Sequence, residues 1–268
     1  MTLMGSIAYG VSSDSSDNDV YGCCIPKKEV VFPHTSGYIQ GFDSQIPKFE
    51  QWTKHHVLEK DHKKEWDFSI YGIIKYFRLC ADCNPNMIDS LYTPQTCILY
   101  MNPVGQIIRE NRHLFLSKKC WHTFKGYAYS QLHKIRTKAA NKSGRQELIE
   151  KHGYDTKFAY HVIRLVGEVE QMMAEGDLNL LTNREQLKSI RRGEWTIEDI
   201  ENYYKEAEVR LNKLYTESKA LPHKIREKEI KQVLINCLEH HFSTLENCVA
   251  TVSEDTLKLS QIKQILER

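Results

Sequence analysis

Long hydrophobic runs are missing from this sequence. Its richest apolar stretch, Ile70 to Leu79, is interrupted by Lys75 and Arg78, which leaves nothing long enough to cross a bilayer. The first ten residues, Met1 to Gly10, lack the basic flank and apolar core of an export signal. The eight cysteines therefore read as reduced thiols of a cytoplasmic protein rather than as a disulfide framework. No Gly-x-x-x-x-Gly-Lys-Ser/Thr loop occurs, which argues against a P-loop phosphotransferase. Charge of one sign is not in excess either: net +2 over 268 residues, with 41% hydrophobic content, describes a chain that buries a core.

What charge there is lies unevenly. From Ser117 to Arg164 there are eleven basic residues against three acidic ones, a local excess of eight. Trp121, Phe124, Tyr127, Tyr129, His133, Tyr154 and Tyr160 are interleaved with them. A positive segment with π faces suits a polyanion or a nucleotide. The competing reading is a solvated helix surface balanced by acids elsewhere.

The first third of the chain is broken by turn residues into short apolar runs, such as Val20–Ile25 and Glu29–Phe32, which predict strands and loops. Ile46 to Val57 reads as a helix, and Trp66 to Tyr71 as a strand that gives way to helical spacing at Ile73, Ile74, Phe77 and Leu79. Asn84-Pro85-Asn86 ends that helix and starts another. Beyond Ser117 the pattern is helical: about Asp155 to Ala174, then Thr196 to Lys219 opened by a capping box with Asp199, then Lys224–Phe242 and Ser253–Glu267. The fold class is α+β, a small sheet domain over 1–116 followed by a helical domain over 117–268.

Chemistry concentrates in acidic residues. Asp17 and Asp19 lie two apart, so an extended backbone turns both carboxylates to one side. Asp67 sits between Trp66 and Phe68 in the predicted strand. Three carboxylates suit hard divalent cations, and a metal pair so held activates a nucleophile and stabilises a leaving oxygen. Gly5 permits close backbone approach to a triphosphate, and Ser6 offers an N–H and a hydroxyl. The competing reading is an acidic turn, although an EF-hand is excluded because the glycine and glutamate of that loop are missing.

Together, Gly5-Ser6, Asp17-Asn18-Asp19 and Trp66-Asp67-Phe68 resemble the polymerase-β-like nucleotidyltransferase superfamily. Five further segments resemble its RNA-ligase-associated branch, the RNA repair pathway polymerase-β family. They are Gly5 to Gly10 together with Ser16 to Gly22, Asn84-Pro-Asn86, Lys125-Gly-Tyr127 with Ser130-Gln131, Gly153 to His161 with Arg164-Leu165, and Arg191-Arg-Gly-Glu194. The resemblance implies a palm-like catalytic domain over 1–116 and a helical nucleotide- and acceptor-binding domain over 117–268, with the active site in the cleft between them. It implies transfer of a nucleoside monophosphate from a nucleoside triphosphate to a hydroxyl, with an RNA end as acceptor. Two Mg²⁺ ions, or Mn²⁺ in their place, would sit on Asp17, Asp19 and Asp67. Gly5 and Ser6 would hold the terminal phosphates.

Lys157, His161 and Arg164, at i, i+4 and i+7, share a helix face and are the candidates to bind the nucleotide from the helical side. Lys125, Tyr127 and Gln131 are weaker candidates. One departure is that only Met1 to Met4 precede the Gly-Ser turn, where the superfamily has a helix and a strand. That predicts a trimmed sheet edge, or a natural start further upstream, and a weakened support for Asp17 and Asp19. Two alternatives stay open: the same transfer to a protein or small-molecule hydroxyl, and a nucleotide or RNA binder without catalysis. Cys80-x-x-Cys83 has no second Cys/His pair to complete a metal site, and the adjacent pairs His55-His56 and His240-His241 diverge on a helix.

Overall fold

A computed structural model describes residues 1–13, 16–39, 41–42, 48–59, 64–141 and 146–243. The expected helix at Ser253–Glu267 lies outside them, as do Lys142 and Arg145 of the basic segment. The architecture is α+β, with a small mixed sheet and many helices.

The chain opens with β1 (Thr2–Leu3), a single helical turn α1 (Gly5–Ala8) and β2 (Asn18–Cys24). A second short helix follows, α2 (Lys28–Val31), where the sequence predicts a strand at Glu29–Phe32. The reason is Pro33, which ends the run without an N–H to give a ladder. Next come β3 (Gln51–Leu58) and β4 (Glu65–Gly72). The helix expected over Ile46–Val57 is therefore a strand from Gln51 onward, and Ile46 lies outside the described residues. Trp52, Thr53 and Val57 fit a pleated surface. Pairing with β4 decided what apolar spacing did not.

The sheet order is β1-β2-β4-β3, with β2 and β4 parallel and the outer pairs antiparallel. At the β1 edge, Met1 and Thr2 are tied to residues 97–100: the Met1 carbonyl accepts from the Leu99 and Tyr100 N–H groups, and Thr2 Oγ1 donates to Thr93 Oγ1 at 2.8 Å.

Helices complete the fold: α3 (Ile73–Ala81), α4 (Pro85–Tyr92), α5 (Pro103–Glu110), α6 (Lys119–Asn141), α7 (Gln146–His152), α8 (Thr156–Glu175), α9 (Arg184–Arg191), α10 (Ile197–Glu217) and α11 (Glu227–Phe242). Asn84 caps α4 as predicted, accepting from Met87 N–H, and Thr196 and Asp199 form the reciprocal capping box that opens α10. At the centre lies α8, packed against α6, α9 and α10 and burying Val162, Ile163, Leu165, Val166 and Val169. Each such side chain contributes about 1.5–3 kcal/mol by leaving water. The buried apolar residues form one cluster running from Ala8 to Leu238, against which Tyr21, Cys23 and Tyr71 of the sheet pack. Among the described residues no helix is long and apolar enough to cross a membrane, and the seven described cysteines are free thiols.

Candidate functional site

The parallel pairing of β2 and β4 brings Asp19 opposite Asp67 as direct partners. Paired residues of neighbouring strands point to the same face, so two carboxylates 48 positions apart in the chain stand side by side. Asp17 lies just before β2, exposed, and near enough to act on Asp19. Burial pushes the Asp19 carboxyl above the usual carboxylate range; Asp67 and Asp17 add to the rise, while Lys157 and His55 oppose it. Burial disfavours the charged form of a carboxyl, and neighbouring like charges add to that effect.

Asp67 is treated differently. Burial pushes it up too, but the His56 N–H, 2.8 Å from Oδ1, and the His55 imidazole, with Nδ1 3.4 Å from Oδ2, outweigh that and hold it low. Both histidines belong to β3, whereas the sequence places them on a helix and gives them no role.

Gly5 follows β1, with Met4 N–H donating to the Asp19 carbonyl at 2.7 Å. Its φ of +60° suits glycine, and a Cβ there would lie 2.2 Å from Asp19 Oδ2. The glycine thus makes room for the carboxylate itself as well as for any ligand.

A cavity of about 380 Å³ is lined by Gly5, Ser6, Asp17 and Asp19 from the start of the chain and by Lys157, Tyr160, His161 and Arg191 from α8 and α9. Asp67 is not among its lining residues. Arg191 is fixed by donating to the Val11 carbonyl at 2.8 Å and lies over the Tyr160 ring, 5.4 Å from its centroid. Tyr160 in turn stacks near His161, with centroids 4.2 Å apart. Arg191 and Tyr160 were missed as site residues: Tyr160 reads as one aromatic among many, and Arg191 lies 34 positions from Lys157 on another helix.

Arg164 is not brought to this cavity. It is 2% exposed, with Nη1 2.5 Å from Asp89 Oδ2 and 2.9 Å from Glu168, and its guanidinium lies over the Tyr9 ring. Seven residues along α8 carry it about 10 Å from Lys157, out of the opening and into the core. Tyr9 OH donates to the same Asp89 oxygen at 2.7 Å, so the four side chains form a buried network beneath α1. Lys125 pairs with Glu208, Tyr127 packs against the core and Gln131 is buried; none of them lines the cavity.

Part of the basic segment is likewise engaged internally. Lys119 pairs with Asp82, Arg136 with Glu201, and Lys118 donates to the Tyr215 carbonyl.

Asp17, Asp19 and Asp67 offer oxygen only, the donor set of a hard divalent cation. Among the described residues no group of three or more His, Cys, Asp and Glu is placed so that it could hold a metal ion. The pair Asp17 and Asp19 on the cavity wall suits Mg²⁺, which keeps several waters and uses one or two carboxylates beside substrate phosphates.

The sequence model of the RNA repair pathway DNA polymerase beta family matches residues 1–247, a span that includes every residue of the cavity. An uncharacterized 38.9 kDa protein from the nrdC-mobD intergenic region of Enterobacteria phage T4 is 24% identical over 151 residues. The match covers 56% of this chain and 42% of that protein, so the chain spans under half of that relative's length. No solved structure matches the chain.

Proposed function

The chain belongs to the RNA repair pathway DNA polymerase beta family, and from that premise we propose that it is a Mg²⁺-dependent nucleotidyltransferase. It moves a nucleoside monophosphate from a nucleoside triphosphate to a hydroxyl and releases pyrophosphate. The observation that carries this reading is the register of Asp19 against Asp67, with Asp19 beside Gly5 in a cavity that Lys157 and Arg191 also line.

In this reading Asp17, Asp19 and Asp67 hold the cation, which supplies charge neutralisation at the transferred phosphoryl group and makes the acceptor hydroxyl more acidic. Ser6 and the Gly5 backbone hold the terminal phosphates. Lys157 and Arg191 neutralise charge on the leaving pyrophosphate, and His161 and Tyr160 shape the space beside it. The acceptor oxygen forms a bond to the α-phosphorus as the bond to the α–β bridging oxygen breaks. The hydroxyl proton passes to a carboxylate oxygen of Asp67. Most of the acceleration comes from holding acceptor and phosphate in line.

The RNA repair pathway in the family's description supports an RNA end as the acceptor. The internal pairing of Lys119, Lys125 and Arg136 favours a second reading, the same transfer to a protein or small-molecule hydroxyl. Salt separates the two, because binding of an RNA end weakens steeply as salt rises and binding of a small neutral acceptor does not. The primary test is incubation with each labelled nucleoside triphosphate, Mg²⁺ and mixed RNA, beside an Asp17→Asn, Asp19→Asn double variant. Equal product from both proteins would remove the site assignment. Tight nucleotide binding without product from either would make the chain a binder.

A further inference from the structure

Strand β3 loses its register opposite Asp67. Lys54 pairs with Phe68 and Val57 with Trp66, so His55 and His56 together face Asp67 alone. A two-against-one bulge leaves one residue outside the ladder, with a backbone N–H that needs another acceptor. Here the acceptor is a side chain: His56 N–H donates to Asp67 Oδ1 at 2.8 Å. His56 reaches that geometry at a φ of 55°, a conformation that non-glycine residues rarely adopt, and its imidazole Nδ1 is held 2.9 Å from Glu65 Oε2. On the other carboxylate oxygen, His55 Nδ1 stands 3.4 Å from Asp67 Oδ2.

Resting on the nucleotidyltransferase reading, we propose that this bulge is a clamp. The backbone N–H of His56 and the imidazole of His55 fix the Asp67 carboxylate so that its remaining lone pairs are presented on the Asp19 side for the divalent cation. A carboxylate oxygen that accepts one hydrogen bond keeps a second lone pair, so clamping and ligation are compatible. Partners that orient a ligand from behind are worth about 10–100-fold in metal affinity or activity. Strain at His56 is of the kind that persists only where the surrounding structure imposes it. His55 and His56 are positioning residues; neither touches the reacting atoms.

The test uses the full chain and two readouts: Mn²⁺ affinity without nucleotide, by paramagnetic resonance or calorimetry, and the kinetics of nucleotidyl transfer. Deleting His56 restores a one-to-one ladder, and is expected to weaken Mn²⁺ binding about 10–100-fold and to lower kcat. His56→Gly keeps the N–H and suits the positive φ, so both readouts should stay within about twofold of wild type. A bulge with a merely structural role would not separate these two variants. Wild-type Mn²⁺ affinity in the deletion, or equal loss in His56→Gly, overturns the proposal.

If the deletion fails to fold, amide exchange decides. The His56 N–H should exchange at least about tenfold faster in Asp67→Ala than in wild type, and an unchanged rate overturns the clamp. The Asp17→Asn, Asp19→Asn variant run alongside separates the two levels. Its retaining Mn²⁺ affinity and product removes the site reading and the clamp with it. Its loss of both, with the deletion unaffected, removes the clamp alone.

Discussion

Replacing Gly5 with alanine puts a methyl group where Asp19 already is. The new Cβ would stand 2.2 Å from Asp19 Oδ2, and the carboxylate must retreat by about 1 Å or more to reach ordinary contact. A φ of +60° adds backbone strain of about 1–2 kcal/mol for an L-residue. For a chain of this size the strain alone lowers Tm by about 2–8 °C. A displacement of about 1 Å at a reacting centre costs about a hundredfold in rate. Gly5→Ala is therefore expected to lose nearly all nucleotidyl transfer while remaining folded at room temperature, as read by calorimetry beside initial rates. The refuting comparison is a double-mutant cycle with Asp19→Ala. With the carboxylate removed, the nearest remaining Asp19 atom is Cβ at 3.6 Å, and the Gly5→Ala penalty should shrink to the strain contribution. An equal stability penalty in both backgrounds, or wild-type activity in Gly5→Ala, would show that the glycine is not there to make room for Asp19.

The buried network and the cavity wall carry three more predictions. Burial pushes the Glu168 carboxyl up from its usual 4.5 to about 8, despite the opposing Arg164 charge. The folded chain thus holds that proton more tightly than the unfolded chain, so stability is full below about pH 4.5 and falls as pH rises towards 8. The slope is at most about 1.4 kcal/mol per pH unit, and Glu168→Gln should flatten it in denaturation titrations. Arg164→Met leaves the Asp89 carboxylate buried without its cation, beside a Glu168 already largely protonated at neutral pH, and should cost about 3–5 kcal/mol in urea unfolding; a loss under about 1 kcal/mol would mean that Asp89 is neutral as well. Arg191→Ala should lower kcat/KM for the nucleoside triphosphate about 10–100-fold with little change in Tm, since it removes a charged contact at the cavity wall. An unchanged kcat/KM would take Arg191 out of the site.

Much of this was legible in the linear chain because it depends on neighbours a few positions apart. The cap at Asn84, the capping box at Thr196 and Asp199, and the stripe of α8 are local arrangements, and they fold as the spacing predicts. The acids were recognisable for the same reason, as residue types in an ordered motif. Elements that depend on a partner were not legible: β3 has helix-compatible apolar spacing and becomes a strand because β4 offers it an edge. His55 and His56 drop out of consideration with that misassignment, since only a bulge opposite Asp67 gives them a role.

Residue type and spacing by themselves determined the class of fold and the approximate bounds of α8, α10 and α11, and singled out three carboxylates as candidates, because side-chain chemistry and helical period are properties of short segments. Tertiary structure alone decided which charges meet. The fate of Lys157 and Arg164 illustrates this: one helix face carries both, yet one turn lies over an open cavity and the other is sealed between Asp89, Glu168 and Tyr9. Solvent access and ion pairing are set by elements remote in the chain, and a cation committed to two buried carboxylates is no longer available to a phosphate.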